Sequence, residues 1–351
     1  MSIAAALLAG SMVLAACGDS GNGGTPESPA GGDSETAEAS DLRVGLAYDI
    51  GGRGDKSFND SAAEGLEAAT GELGLTDVQE LAAEADEVDA DKEARLRQLA
   101  DAGYNAIICV GFAYAPALAT VAPDYPDVDF TIIDSADATG DNIASYTFRE
   151  HESAYLVGAI AALTSQTGTI GFVGGVETPL IQKFEAGYRA GAEAAVPGIT
   201  IVSNYLTQIP DFTGFQSPQL GQAAAEGQYQ TDDADVIYAA AGLSNNGVFT
   251  AAAAAGAQAI GTDSDQFLTA DPSVQSAIIA SALKGVGAAV QDFLTKVADG
   301  SIEPGNTELG LAEGGVDYVI NDPAVQTAVE AQIEEFKQGI IDGDIAVPDT
   351  L

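Results

Sequence analysis

Beyond residue 41 the chain alternates short, almost wholly apolar runs with longer amphipathic or alanine-rich stretches. The runs at 42–48, 106–110, 129–133, 143–148, 169–173, 199–204, 236–240 and 257–261 lack the strict in-and-out alternation of a half-exposed sheet, and such near-continuous apolarity predicts strands covered on both faces. The stretches at 58–70, 89–102, 114–122, 151–164, 180–195, 216–229, 244–255 and 323–338 read as helices, and 273–298 reads as one long helix. Strand and helix in regular succession predict an α/β fold of parallel sheets with right-handed crossovers.

The length suits two such sheets. The expected architecture is a pair of doubly wound parallel-sheet lobes, one built from 42–147 plus 263–300 and the other from 148–262 plus 301–351, joined by a hinge that the chain crosses several times. Open α/β sheets hold ligands outside the carboxyl ends of their strands, so two facing edges make an interdomain cleft.

The first 41 residues follow another pattern. Residues 3–16 (IAAALLAGSMVLAA) are uncharged, too short to span a bilayer, and end in small residues, which predicts a signal segment over 1–16 that is removed. Leu14, Ala15, Ala16 and Cys17 resemble the bacterial lipobox, in which the thiol is acylated and becomes the first mature residue; Met1 and Ser2 supply no basic n-region. Two or more acyl chains hold a soluble domain at a membrane. Residues 17–41 then read as the lipidated cysteine and a flexible linker rich in Gly, Ser and acids. The expected location is the extracytoplasmic face of a bacterial cell membrane.

Charge narrows the partners. With 53 acidic and 12 basic residues the formal charge is −41, a field that repels nucleic acid but not a small neutral solute. Such an excess is best tolerated where salt screens it, which suggests a saline habitat. Only Cys17 and Cys109 are present, so no disulfide framework is expected, and Cys109 within AIICVG reads as core filler. The single histidine, His151, rules out a His-based metal cluster and reads as a polar helix-surface residue; no metal or cofactor is expected.

Polar residues at strand ends are the candidate contacts. The strongest string is DIGGRGDKSFNDSA, from Asp49 to Ala62. Its glycines allow a tight turn, and Ser57 with Asp60 fits a capping box that starts a helix at about Phe58. Phe58 and Asn59 then occupy an exposed first turn, offering a flat apolar face and an amide that both donates and accepts. The lesser alternative for Phe58 is a staple that packs the helix start onto the core. The glycine spacing matches neither the dinucleotide fingerprint nor the P-loop.

DIGGRGDKSFNDSAAEGL, followed by AYLVGAIAAL, VIYAAAGLSNNGV, AIGTDSDQ and SALKGVGAAV, resembles the basic membrane protein family of bacterial solute-binding lipoproteins, the purine-nucleoside-binding branch. The resemblance spans about 42–340 and implies a type I periplasmic-binding fold feeding an ABC permease and its ATPase. It also implies a cleft for a nucleoside such as guanosine, inosine or adenosine. In its terms Phe58 stacks on the base, Asn59 and Asp134 contact the polar edge of the base, and Asp49 belongs to the pocket wall. Gly242, Asp263 and Lys284 hold the sugar, with Asp265 the alternative to Asp263. A second stacking ring falls in TQIPDFTGFQSPQLG, with Phe212 preferred over Phe215. The competing functions are a nucleoside hydrolase-like enzyme, disfavoured because the N-terminal region lacks clustered metal-binding aspartates, and a sugar or nucleoside receptor for a membrane sensor.

Overall fold

A computed structural model describes residues 42–84 and 87–351. The expected signal segment, Cys17 and the linker lie outside the described residues. Among these, no helix is long and apolar enough to cross a membrane.

In chain order the elements are β1 (Arg43–Ala47), α1 (Phe58–Leu73), β2 (Asp77–Leu81), α2 (Asp89–Asp101), β3 (Ala106–Cys109), α3 (Ala115–Val121), β4 (Asp129–Ile133) and β5 (Ile143–Phe148). There follow α4 (Glu150–Thr164), β6 (Thr169–Glu177), α5 (Pro179–Ala195), β7 (Thr200–Gln208), α6 (Pro218–Thr231), β8 (Val236–Ala240), α7 (Asn245–Ala255) and β9 (Gln258–Asp263). The last are α8 (Gln266–Thr269), β10 (Ile278–Lys284), α9 (Val286–Asp299), β11 (Gly305–Leu309), β12 (Val316–Ile320) and α10 (Pro323–Ile341).

The strands form two six-stranded sheets, ordered β11-β5-β4-β3-β1-β2 and β12-β10-β9-β8-β6-β7. Every pairing in the first is parallel, and in the second only β10 with β12 is antiparallel. The chain passes between sheets after β5, after β10 and after β11. This is the α/β architecture of two largely parallel sheets that the pattern of the sequence predicts, and it is the type I periplasmic-binding fold that the resemblance implies.

The apolar runs are two-sided for the expected reason. In β3, Ala106 and Ile108 face the large core while Ile107 and Cys109 face a second core built on α2 and α3. Helix α4 is buried almost all round. It meets α5 where Gly187 and Gly191 leave room for the backbone at His151 and Tyr155; a Cβ at either glycine would come within 2.1 Å of a carbonyl oxygen. The same contact buries His151, which is therefore not the surface residue expected; its imidazole pKa is pushed down to about 4 by burial and then by Lys183.

Four strands differ from expectation. β2 (DVQEL) and β11 (GNTEL) are polar edge strands, and β12 is also half-exposed, so none carries a buried apolar run. The expected helix over 273–298 is instead β10 followed by α9. IIASALK is short, apolar and buried, a pattern shared by helix and strand, and Gly285 separates the two elements. In consequence 278–284 belongs to the second sheet and 305–309 to the first, the reverse of the expected division for these two strands, whereas α9 packs on α1, where Gly65 meets Gly287, and β12 pairs in the second sheet.

Candidate functional site

At the carboxyl ends of both sheets lies a cleft lined by Asp49, Asp55, Phe58, Asn59, Phe112 and Asp134 from the side of the first sheet. Leu180, Ile181, Phe184, Phe215, Gly242, Asp263 and Lys284 face them from the second. Seven of the eight residues singled out from the sequence thus meet in one place; Phe212 is not among the lining residues.

The β1–α1 turn is built around a different cap from the one expected. Ser57 caps nothing with its side chain. The Asp55 carboxylate accepts from the backbone N–H groups of Ser57, Asn59 and Asp60 at 2.8–3.0 Å and from the Asn59 amide at 3.0 Å. Asp60 reaches back instead to the N–H groups of Gly54 and Lys56. Asp55 wins because it sits where it can accept from several first-turn donors at once. Burial lifts its pKa to about 6 against those donors.

Freed from capping, the Ser57 hydroxyl stands 2.9 Å from both Thr262 O and Asp263 Oδ2, while Lys56 O accepts from Ser264 Oγ and Gln266 Nε2, each at 3.0 Å. The first-sheet turn is therefore pinned to the β9–α8 turn of the second sheet.

Asn59 is only 2% exposed. Its Oδ1 accepts from Asp49 N–H at 2.9 Å, and its amide donates to Asp55, so the side chain fastens the end of β1 to α1 as well as forming cleft wall. Burial raises the Asp49 pKa to about 7, opposed by the Ile50 N–H and by Lys92.

Asp134 follows β4 and Asp263 closes β9, and each has φ of 70°, a left-handed conformation that a non-glycine residue seldom adopts. Between them stands the Lys284 ammonium, 2.7 Å from Asp134 Oδ2 and 3.5 Å from Asp263 Oδ1. It also lies 4.6 Å from the Phe58 ring centroid and 5.5 Å from that of Phe184. Burial by itself lowers the lysine's pKa; the carboxylates of Asp134, Asp263 and Glu150 outweigh that and raise it above the ordinary value. The converse holds at Asp134, whose pKa is raised by burial although Lys284 pulls it down.

Asp134 Oδ1 and Asp263 Oδ1 are buried and accept no hydrogen bond. A solute with donors would satisfy both. Asp265 turns away, both its oxygens accepting from Asn321, so that of the two acids Asp263 stands in the cleft wall and Asp265 does not.

The preference for Phe212 is corrected. Phe215 forms the cleft wall: it packs where Gly175 has no side chain, a Cβ there falling 2.4 Å from the ring. Phe212 points at Phe112 and Lys92 instead. The two phenylalanines end the same short turn, Phe212–Phe215, and only packing separates them. Also missed were Phe112, Phe184 and Asp55 in the wall, and Glu150 behind it. Glu150 is 1% exposed, 3.7 Å from Lys183, with its pKa lifted by burial to about 7. A glycine followed by an aromatic after β3, matching Gly242 after β8, was the available signal for Phe112.

Comparison with known proteins identifies the family and the fold. The profile of a family described as ABC transporter substrate-binding protein PnrA-like matches residues 43–350. A Lactococcus lactis protein named ABC transporter nucleoside-binding protein BmpA is 32% identical over 329 residues, 88% of this chain and 89% of that one. An uncharacterised lipoprotein of Pyrococcus abyssi is 36% identical over 303 residues, 82% of this chain and 72% of that one. The solved structure of a solute-binding protein of an ABC transporter system from Aeropyrum pernix aligns with a TM-score of 0.74 at 33% identity, over 88% of this chain and 94% of that one.

Proposed function

The chain belongs to the PnrA-like family of ABC transporter substrate-binding proteins, which deliver solutes rather than transform them, and we propose that its solute is a nucleoside, foremost a purine nucleoside. One observation carries this reading: two buried carboxylate oxygens without hydrogen bonds, on Asp134 and Asp263, lie in a cleft walled by the phenyl rings of Phe58 and Phe215. A planar heterocycle fits between aromatic faces, a base edge or vicinal hydroxyls supply the missing donors, and Lys284 supplies a donor to an acceptor oxygen.

The charge balance defines the solute further. The lining residues include the carboxyls of Asp49, Asp55, Asp134 and Asp263 but one ammonium, Lys284, which is already paired. A phosphate would meet repulsion with no free cation to offset it, so the cleft suits nucleosides and rejects nucleotides. Closure of the two lobes around the solute buries these groups and presents the permease with a surface that differs from the empty state. The name of the Lactococcus lactis relative supports the nucleoside reading, and that of the Pyrococcus abyssi relative supports acylation at Cys17 and tethering outside the cytoplasmic membrane.

Calorimetric titration with guanosine, inosine, adenosine, cytidine, ribose and guanosine monophosphate tests the reading, with mass spectrometry to detect turnover. Binding of at least one nucleoside, without base release and with weaker ribose and monophosphate binding, is the expected result. Ribose bound as tightly as any nucleoside would remove the aromatic walls from their role.

A further inference from the structure

The segment leaving β7 carries two phenyl rings on the turn Phe212–Phe215, and they serve different neighbours. Phe215 faces the cleft. The half-buried Phe212 lies against the first lobe, its ring centroid 6.1 Å from that of Phe112 at 49° and 6.0 Å from the Lys92 ammonium. Phe112 follows β3 and Lys92 lies on α2, so this contact joins the two lobes through residues other than those that pair across the cleft at Lys284. We propose that Phe212 is a closure latch: it fastens the second lobe onto the first and governs how fast a captured solute leaves, without touching that solute.

Both halves of the latch are prepared within their own lobes. On the second, Asp211 accepts from Thr213 N–H at 2.9 Å and from Thr213 Oγ1 at 2.6 Å, Thr207 Oγ1 donates to Asp211 O, and Ser244 Oγ donates to Gly214 O at 2.7 Å. The turn is thus held in shape by its own lobe, with Phe212 at its outer end. On the first, Lys92 is 5% exposed yet stands 3.8 Å from the nearest carboxylate oxygens of Glu87 and Asp89. These are ion-pair distances longer than a hydrogen bond, so the ammonium is held in place with attraction left for a ring face. Phe112 also lines the cleft, so the ring that Phe212 covers is itself cleft wall.

A contact that exists only when the lobes are together adds to the stability of the closed state alone. Solute escape requires opening, whereas capture starts from the open state, so weakening the latch speeds release and leaves capture nearly unchanged. This rests on the cleft being the solute site.

The experiment is stopped-flow binding of the nucleoside that titrates most tightly, with small-angle scattering of the ligand-free protein beside it. Phe212→Ala is expected to raise the release rate about tenfold and change the association rate less than about twofold, the scale of one aromatic pair. Phe212→Tyr keeps the ring and is expected to release at close to the parent rate. Lys92→Met, which preserves bulk and removes the cation, is expected to give a smaller rise than Phe212→Ala. Ligand-free Phe212→Ala is expected to have the larger radius of gyration. Unchanged release and unchanged radius in Phe212→Ala would overturn the latch. So would a collapse of the association rate, which would make Phe212 a solute contact. If no nucleoside binds the parent protein, the functional reading fails, and the scattering comparison alone still decides the latch.

Discussion

The two lobes repeat one strand order and then diverge at their rims. β2-β1-β3-β4-β5-β11 in the first corresponds to β7-β6-β8-β9-β10-β12 in the second. An aspartate at φ 70° follows β4 and another closes β9, and β3 and β8 are both followed by a glycine of positive φ, Gly111 and Gly242. The strands after them differ: β5 ends in Phe148 and β10 in Lys284. The repeated fold thus delivers matching carboxyls to both sides of the cleft, and a lysine on one side serves both. Equivalent backbone positions set where chemistry can occur, and the side chain at each sets what it is.

Replacing the shared cation is the severest way to break this symmetry. Lys284→Met leaves Asp134, Asp263 and Glu150 buried without their common counter-charge and is expected to cost about 3–5 kcal/mol of folding stability, measured by urea unfolding. A loss below about 1 kcal/mol would mean that the carboxyls accommodate themselves without it.

The paired aspartates provide a finer comparison. Asparagine tolerates the left-handed backbone, so Asp134→Asn and Asp263→Asn remove charge without straining either strand end. Each is expected to weaken nucleoside binding by about 1.5–3 kcal/mol in calorimetry, the scale of a hydrogen bond to a charged group. Full affinity in either variant would show that its lobe contributes no acceptor.

The rings come next. Phe58→Ala and Phe215→Ala, one from each lobe, are expected to lose about 1–2 kcal/mol of affinity each. A loss confined to one of them would replace the two-sided clamp with a single stacking face.

Smallest is the pH effect, to which the first-lobe turn and helix α4 of the second lobe both contribute. Burial raises Asp49 to about 7 and Asp55 to about 6, above the ordinary carboxyl value near 4. The folded state therefore binds more protons than the unfolded chain between about pH 4 and 7, and stability from these groups falls as pH rises through that window. Glu150, raised to about 7, acts in the same direction; His151, lowered to about 4, acts in the opposite one, with stability lost as pH falls below about 6.5. Asp49→Asn is expected to flatten the decline between pH 5.5 and 7.5 in urea titrations, and an unaltered slope would show that Asp49 does not carry it.

Much of this was legible in the chain because it is local. A buried parallel strand announces itself by a continuous apolar run, as in AIICV and VIYAA, and a helix by its spacing, so the α/β class followed directly; the helix start at Phe58 came out right although the cap that pointed to it is a different one. Polar edge strands such as GNTEL bury little and leave no such trace. Cap chemistry was misread at Ser57 because Asp55, two residues earlier, competes for the same donors, and sequence spacing does not rank acceptors that both reach.

Sequence alone determined which residue types stand at the strand ends: the SFN turn, the aspartates just after β4 and at the end of β9, and the lysine at the end of β10. Tertiary structure alone decided which of them meet. It drew Lys284 into the second sheet beside two carboxyls, turned Phe215 inward and Phe212 across to the other lobe, and aimed Asp265 at Asn321 instead of the cleft. The physical reason is range: propensity and periodicity act over a few residues along the chain, whereas burial, ion pairing and ring packing depend on distances through space between segments far apart in sequence, 206 positions in the case of Ser57 and Asp263.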